Sequence, residues 1–184
     1  DSYGNTLYPT TFKSPNGANP NAVWVSDRWN SSDSSLGRPT SFSNLNIDGN
    51  SDNNTTGHGM ILCNFRPVLS NVLFTKTPQN AIHMPATYRN GTEFAIASVG
   101  ARILNCRVYN ITGDALHVCG CNDKEQGTYT DGWLDNFSVG VNCHYGVYIE
   151  PGSGWFVTNS HIDNAQHCPF YMYKASGTNI TNLY

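Results

Sequence analysis

Several short apolar segments of the sequence carry one histidine or tyrosine at the same position, between two apolar neighbours. Aromatic rings stack on the apolar faces of sugars, and imidazole groups form hydrogen bonds with hydroxyl groups. Side chains of these two types, repeated along one surface, have the chemistry to bind a polysaccharide. The predicted ligand-binding residues are His83, Tyr148 and Tyr171 at this position, His58 just before its strand, and Tyr173 two positions after Tyr171.

Asp114, His117 and Glu150 in the same segments are the candidate catalytic residues. A carboxylate can act as general acid or base, and histidine can transfer a proton near neutral pH. Hydrolysis of a glycosidic bond requires two carboxylates about 5–10 Å apart. Asp114 and Glu150 lie at opposite ends of their segments, roughly 16 Å apart along a strand, so this pair alone is too distant. The sequence shows no calcium-binding cage for a lyase. We expect neither a metal nor another cofactor, and the choice between polysaccharide lyase, glycoside hydrolase and no catalysis stays open.

Tyrosine and histidine are also ordinary residues on exposed β-sheets, because their rings fit the pleated surface. A second interpretation therefore stands beside the first. In it the chain is a non-catalytic structural or adhesive β-helix in a surface or filament assembly, and the histidines and tyrosines lie under a neighbouring subunit.

A repeat anchored on asparagine indicates the elements that position these residues. Ten residues after the anchor Asn105, for example, stands the segment Ala115-Leu-His-Val118, in which inward and outward positions alternate. An apolar residue also stands two positions before each anchor. Alternation of period two within repeats of this length predicts an all-β fold, a parallel β-helix (solenoid) of about five rungs with loops projecting from the turns. The anchors are Asn44, Asn71, Asn105, Asn136, Asn159 and Asn182, which are 27, 34, 31, 23 and 23 residues apart.

Each anchor is predicted to make a sharp turn in the left-handed backbone region, which asparagine tolerates better than other non-glycine residues. Stacked asparagine side chains can also form hydrogen bonds along the coil. The repeat predicts a β-helix over residues 41–184 and an N-terminal loop or cap segment over residues 1–40. Asn182-Leu-Tyr184 begins another rung, so we expect the coil to continue beyond Tyr184 or to be covered by another subunit.

This repeat resembles the pectate-lyase-like superfamily of right-handed parallel β-helices over residues 40–184. Within that superfamily, the sequence is most similar to those of phage tail-spike proteins and related bacterial surface β-helices. The resemblance implies a protein that binds or cleaves polysaccharide and that assembles as a homo-oligomer, either a trimer or an end-to-end stack. The residues that carry it are Phe42-Ser-Asn-Leu-Asn-Ile-Asp-Gly49, the segment from Asn105 to Val118, and Thr130-Asp-Gly-Trp133 with Gly154-Trp155.

Composition and charge exclude two classes of partner. Charged residues make up 12% of the chain, against about 25% in an average globular protein. The net charge is −3 and no cluster of Lys and Arg stands out, whereas nucleic-acid binding requires a basic stripe. The most apolar run, Phe94 to Leu104, is too short to cross a bilayer and contains Arg102. We expect no nucleic-acid partner and no membrane span.

Cysteines and glycosylation sequons favour an extracellular, secreted or virion-surface location. The sequence has six cysteines and no Cys-x-x-Cys motif, and an even number suits disulfide bonds in a secreted protein. Cys143 and Cys168 occupy nearby turn positions of adjacent rungs and are the predicted disulfide. Glycosylation is predicted at Asn30, Asn54, Asn90, Asn110, Asn136 and Asn179, each of which begins an Asn-x-Ser/Thr sequon.

Overall fold

A computed structural model describes residues 10–30, 38–86, 99–119, 129–140, 142–174 and 176–184. The described part is built from short strands, with a single four-residue helix, α1 (Asp27–Asn30). The strands are β1 (Thr10–Lys13), β2 (Ala22–Val25), β3 (Ser41–Asp48), β4 (His58–Ile61), β5 (Val68–Thr75), β6 (Ile82–Pro85), β7 (Arg102–Leu104), β8 (Arg107–Tyr109), β9 (Leu116–Cys119), β10 (Tyr129–Thr130), β11 (Trp133–Asp135), β12 (Ser138–Val139), β13 (Cys143–Glu150), β14 (Gly152–Ser153), β15 (Phe156–Ile162), β16 (Ala165–Met172) and β17 (Asn179–Leu183).

Two parallel sheets contain nearly all of these strands. The first sheet runs β1-β3-β5-β7-β11-β15-β17. Strands β8 and β12 follow β7 and β11 after the left-handed residues Asn105 and Asn136, and they pair within the same sheet. The second sheet runs β2-β4-β6-β9-β13-β16, and β10 pairs with β14. The chain alternates between the two large sheets, so each strand pairs with one much later in the sequence. The predicted all-β class with parallel sheets is confirmed. Within the described residues, no helix has the length and apolarity needed to cross a membrane.

Apolar residues in register form the core between the two sheets. In the first sheet Leu69 pairs with Ile103, Ile103 with Leu134, and Leu134 with Val157, and all four are buried. A strand directs alternate side chains to opposite faces, so the intervening residues of these strands face outward. Cys106 is also buried in this core.

The six anchor asparagines all adopt the predicted left-handed backbone conformation. Their side chains also bond along the sheet: Asn136 Nδ2 donates to Asn105 Oδ1 at 2.8 Å, and Asn71 Nδ2 donates to Asn44 Oδ1 at 3.1 Å. The turn at each anchor lets one strand change direction without a loop. The φ angles are 56° at Asn44, 54° at Asn71, 52° at Asn105, 50° at Asn136, 49° at Asn159 and 53° at Asn182.

Both sheets begin before residue 41. Strand β1 pairs in parallel with β3, with Thr10 opposite Leu45, and β2 pairs in parallel with β4, with Trp24 opposite Met60. The sequence repeat does not mark these two strands, because neither is followed or preceded by an anchor asparagine in the predicted register. The division of the chain into residues 1–40 and 41–184 stays a prediction.

Candidate functional site

The outer face of the second sheet carries a continuous row of rings. His83 pairs with His117, His117 with Tyr148, and Tyr148 with Tyr171 in the register of β6, β9, β13 and β16. The ring centroids are 5.5 Å apart for the two histidines, 4.7 Å for His117 and Tyr148, and 5.0 Å for the two tyrosines. We call these four residues the ring row. Its exposure rises towards β16, where 37% of Tyr171 is accessible.

The ring row arises from simple alternation along each strand. In β9, Leu116 and Val118 are fully buried in the core, so His117 between them must face outward. One member of the same ladder behaves differently: Ile61, opposite His83, faces outward but is buried, because it packs with Ala22 and Cys63 in a second apolar cluster. The ring row therefore begins at His83.

His58, the first residue of β4, contacts the ring row although it lies outside the ladder of that row. Its ring stacks on that of His83, with centroids 4.4 Å apart and planes 7° apart, and its Nδ1 accepts a hydrogen bond from Asn80 N at 3.2 Å. Burial lowers the pKa of His58 to about 4, and the charge of His117 adds to this effect. Burial, followed by the proximity of His58 and His117, likewise holds the pKa of His83 well below its ordinary value. Both histidines are neutral near pH 7.

Asp114 is a buried carboxylate that joins two histidines. Its Oδ2 lies 2.6 Å from His117 Nδ1 and its Oδ1 lies 3.3 Å from His144 Nδ1. Oδ1 also accepts a hydrogen bond from Tyr145 N at 3.0 Å, and only 5% of Asp114 is exposed. Burial alone would lower the pKa of His117, but hydrogen bonds and charges from Asp114 and Cys119 outweigh it and raise the pKa to about 9. His117 therefore carries a proton near neutral pH.

A groove of about 590 Å³ opens above this cluster, beside the ring row. We call it the ring groove. It combines imidazole and phenol rings with a carboxylate and an amide, so it offers both stacking surfaces and hydrogen-bonding groups to a ligand. Its lining includes His58, Asn80, Asp114, His117, His144 and Tyr148.

Two histidines of this region, His144 and His167, were missed by sequence reasoning. Their ring centroids lie 4.4 Å apart, and the ring of His167 stacks on Tyr145 at 5.4 Å. Both stand eight residues after an anchor, His144 after Asn136 and His167 after Asn159. This shared place in the repeat is the signal that could have found them.

Glu150 is the last residue of β13, and Tyr173 directly follows the last residue of β16. The Tyr148 hydroxyl donates a hydrogen bond to Glu150 Oε2, and Glu150 lies opposite Cys119 in the register of β13 and β9. Burial, followed by this bond to Glu150, raises the pKa of Tyr148 above its ordinary range. Tyr173 is 45% exposed just after β16. The predicted catalytic residues thus fall into two places, Asp114 with His117 and Glu150 with Tyr148.

The predicted disulfide between Cys143 and Cys168 is wrong. Cys143 lies opposite Ala165, whereas Cys168 lies opposite Tyr145, and the register shift between these two pairs separates the cysteines. Cys143 is buried in the core, and the Cys168 thiol instead donates to Phe170 O at 3.1 Å. The cysteines that the structure describes are all free thiols: Cys63, Cys106, Cys119, Cys143 and Cys168.

The predicted glycosylation sites differ in accessibility. Asn54 is 3% exposed, and its Nδ2 donates to Ser14 Oγ and Pro15 O at 3.0 Å, so a glycan there would require loss of these bonds. Asn110, Asn136 and Asn179 are exposed. The Asn30 side chain and the whole of Asn90 lie outside the described residues. Glycosylation itself stays a prediction.

A comparison of the chain with protein-family models, with curated proteins and with solved structures finds no match. Among the described residues, no group of three or more His, Cys, Asp and Glu side chains has the arrangement of a metal site. The site is therefore interpreted from the chemistry of its own residues.

Proposed function

We propose that this chain is a stretch of right-handed parallel β-helix, of about five rungs and of the pectate-lyase-like type, that binds polysaccharide in the ring groove. The observation that carries the proposal is the ring row. It offers a ring on each of four successive strands, at centroid distances of 5.5, 4.7 and 5.0 Å. A glycan crossing the strands would meet one ring at about every strand spacing, roughly 4.8 Å.

The two ends of the ring row suit different contacts with such a glycan. Towards β16, Tyr171 and Tyr173 are exposed and provide apolar faces for sugar rings. Towards β6 and β9, the protonated His117 and the amide of Asn80 provide hydrogen-bond donors and acceptors for hydroxyl groups. Both kinds of contact are needed, because sugars present an apolar face and a polar rim.

Cleavage is a second candidate function, favoured by the bond of 2.6 Å between Asp114 and His117. The protonated His117 would give its proton to the leaving glycosidic oxygen, while Asp114 stabilises and orients the imidazolium. Glu150 is two residues along and one strand across from His117, roughly 8 Å from strand geometry. That separation leaves room for a water molecule that attacks the anomeric carbon while the carboxylate removes its proton. Glu150 is the proposed general base of such a hydrolase.

The proposed setting is extracellular or on a virion surface, as for the tail-spike proteins that the sequence resembles. Oligomerisation as a trimer or by end-to-end stacking, and glycosylation of the exposed sequons, belong to the same proposal. A polysaccharide is the proposed partner. The non-catalytic structural coil remains the competing interpretation, and it predicts that the ring row is covered by another subunit.

A glycan array followed by titration of the best ligand tests the binding proposal. We expect the wild type to bind, and Tyr148→Ala to weaken binding by about 1 kcal/mol through loss of one stacking contact. Phe156→Ala is the matched control, because Phe156 is an exposed ring on the outer face of the first sheet. Absence of binding by the wild type, or an equal loss in both variants, contradicts the proposal. New reducing ends in a polysaccharide panel would favour cleavage.

A further inference from the structure

A second, smaller cavity of about 160 Å³ lies next to the ring groove. We call it the Trp29 pocket. His58 and Gln79 line both the pocket and the groove, and His83 also lines the pocket, so one continuous wall joins them. The volume equals roughly five liquid water molecules at about 30 Å³ each, which is room for one sugar ring.

Hydrogen bonds to β4 and the residues after it hold the Trp29 side of this pocket in place. Ser26 N and Oγ both donate to Ile61 O at 2.9 Å, and Cys63 N donates to Ser26 Oγ at 2.9 Å. The buried Arg28 donates through Nη1 to Cys63 O at 3.0 Å. The indole of Trp29 also packs against the apolar cluster that contains Ile61. The ring is therefore positioned before any ligand arrives.

The pocket lining also includes amide side chains that backbone groups hold in place. Asn19 Oδ1 accepts hydrogen bonds from Thr55 N at 2.8 Å and from Thr56 N at 3.3 Å. Gln79 Oε1 accepts a hydrogen bond from Gly57 N at 3.0 Å. A lining that combines an aromatic ring with fixed amide groups can meet both the apolar face and the hydroxyls of a sugar.

Among the residues that the structure describes, the pocket lining contains no Asp, Glu, Lys or Arg. Its two histidines, His58 and His83, have lowered pKa values for the reasons of burial given above, so they are uncharged near pH 7. A charged sugar would lose hydration in this pocket without gaining an ionic partner. The lining thus selects an uncharged ligand, in contrast to the ring groove with Asp114 and His117.

We propose that the Trp29 pocket is an additional subsite for one neutral hexose residue of the glycan whose other residues lie in the ring groove. This inference rests on the proposed polysaccharide-binding function. From Tyr171 to Ile61, which borders the pocket, the ladder crosses four strand spacings, roughly 19 Å. A glycan of about five sugar residues would therefore span the ring row and place its terminal residue against Trp29.

Calorimetric titration with a size series of neutral oligosaccharides tests this subsite. The probes are gluco-, manno- and galacto-oligosaccharides of two to eight units. For the series that binds, we expect affinity to rise until the chain reaches about five units. Trp29→Leu keeps the packing on Ile61 but removes the ring. It should remove the last rise in affinity, a loss of about three- to tenfold, and leave shorter chains unaffected.

Two further variants complete this experiment. Asn21→Ala alters an exposed residue of the pocket lining and should also weaken binding of the long chains only, by about threefold. Trp133→Leu is the matched control, because Trp133 is an exposed indole stacked on Phe156 in the first sheet. Circular dichroism and thermal unfolding check that each variant is folded.

The outcomes separate the subsite from the proposed function. If the wild type binds long chains and both Trp29→Leu and Asn21→Ala bind them equally well, the pocket is not a subsite. An equal loss in Trp133→Leu leads to the same conclusion. If the wild type binds no oligosaccharide of any length or class, the polysaccharide-binding function itself is wrong, and the subsite with it.

Discussion

Asp114 connects His117 and His144 on two adjacent strands: its Oδ2 lies 2.6 Å from His117 Nδ1 and its Oδ1 lies 3.3 Å from His144 Nδ1. The carboxylate is buried, so these bonds are shielded from solvent and the charge on Asp114 acts strongly on its partners. The arrangement keeps His117 protonated at the edge of the ring groove. It also makes the stability of the protein depend on pH.

Loss of the bond between Asp114 and His117 at alkaline pH should lower the free energy of unfolding. The pKa of His117 is raised from 6.5 to about 9, so the stabilisation is complete below pH 6.5 and disappears as the pH rises through 9. We expect the free energy of unfolding of the wild type to fall across this window by on the order of 3 kcal/mol. Urea unfolding at pH 6, 7.5 and 9 measures it.

Asp114→Asn should have a nearly flat stability profile over the same window, because the neutral amide cannot hold the imidazolium. His161→Gln is a suitable control, since His161 is exposed on the first sheet, away from Asp114. If wild type and Asp114→Asn lose stability in parallel between pH 6.5 and 9, the bond is not the cause of the loss.

At acidic pH, His58 should destabilise the fold. Its pKa is lowered from 6.5 to about 4, chiefly by burial, so the unfolded chain binds the proton more readily than the folded one. Stability is complete above pH 6.5 and falls as the pH drops towards 4. In His58→Gln, stability should fall less steeply as the pH drops, and thermal midpoints between pH 4 and 7 measure this slope. An unchanged slope would exclude His58 as a contributor.

Glu150→Gln tests the proposed hydrolase. The substitution preserves shape but removes the charge that would accept a proton from water, so turnover should fall by at least a hundredfold while glycan binding is retained. Release of reducing ends measures turnover, and titration with the same glycan measures binding. Asp135→Asn is the control, because Asp135 lies on the first sheet. Equal turnover by Glu150→Gln and the wild type removes Glu150 from the mechanism.

Asn136→Val should lower the free energy of unfolding by about 1–2 kcal/mol. A β-branched residue resists the left-handed conformation that Asn136 adopts at φ 50°, and the bond to Asn105 is lost as well. Asn136→Gly, which keeps the backbone conformation available, separates the two effects. Ser138→Val, in the extended strand β12, should cost less. Denaturant midpoints that rank Ser138→Val as the more damaging change would contradict this account.

Thiol labelling of the folded protein should distinguish the cysteines by burial. Cys119 and Cys168 are half-buried and should react with iodoacetamide before the buried thiols. Burial raises the pKa of Cys106 to about 12 and that of Cys143 to about 11, so little thiolate is present there at pH 8. Mass spectrometry of labelled peptides, with and without denaturant, measures the difference. A Cys143–Cys168 disulfide in the non-reduced protein would overturn this prediction.

The backbone of the repeat could be predicted because its signals are local. Asparagine at an anchor such as Asn105 favours the left-handed region through its own side chain, and alternation around His117 assigns inward and outward faces residue by residue. Residues at the same offset from their anchors then pair in register, so the sequence predicts His83, Tyr148 and Tyr171 in one row.

Contacts between strands at irregular positions were decided only by the tertiary structure. His144 meets Asp114 thirty residues earlier in the chain, and His58 stacks on His83, because the lengths of the intervening loops bring them together. The register shift between Cys143 and Tyr145 separates Cys143 from Cys168 and refuted the predicted disulfide. Sequence alone determined the ring row and the turns, since conformational preference and strand alternation act within a few residues. The Asp114 cluster and the Trp29 pocket depend on the offset between distant segments, which no local preference encodes.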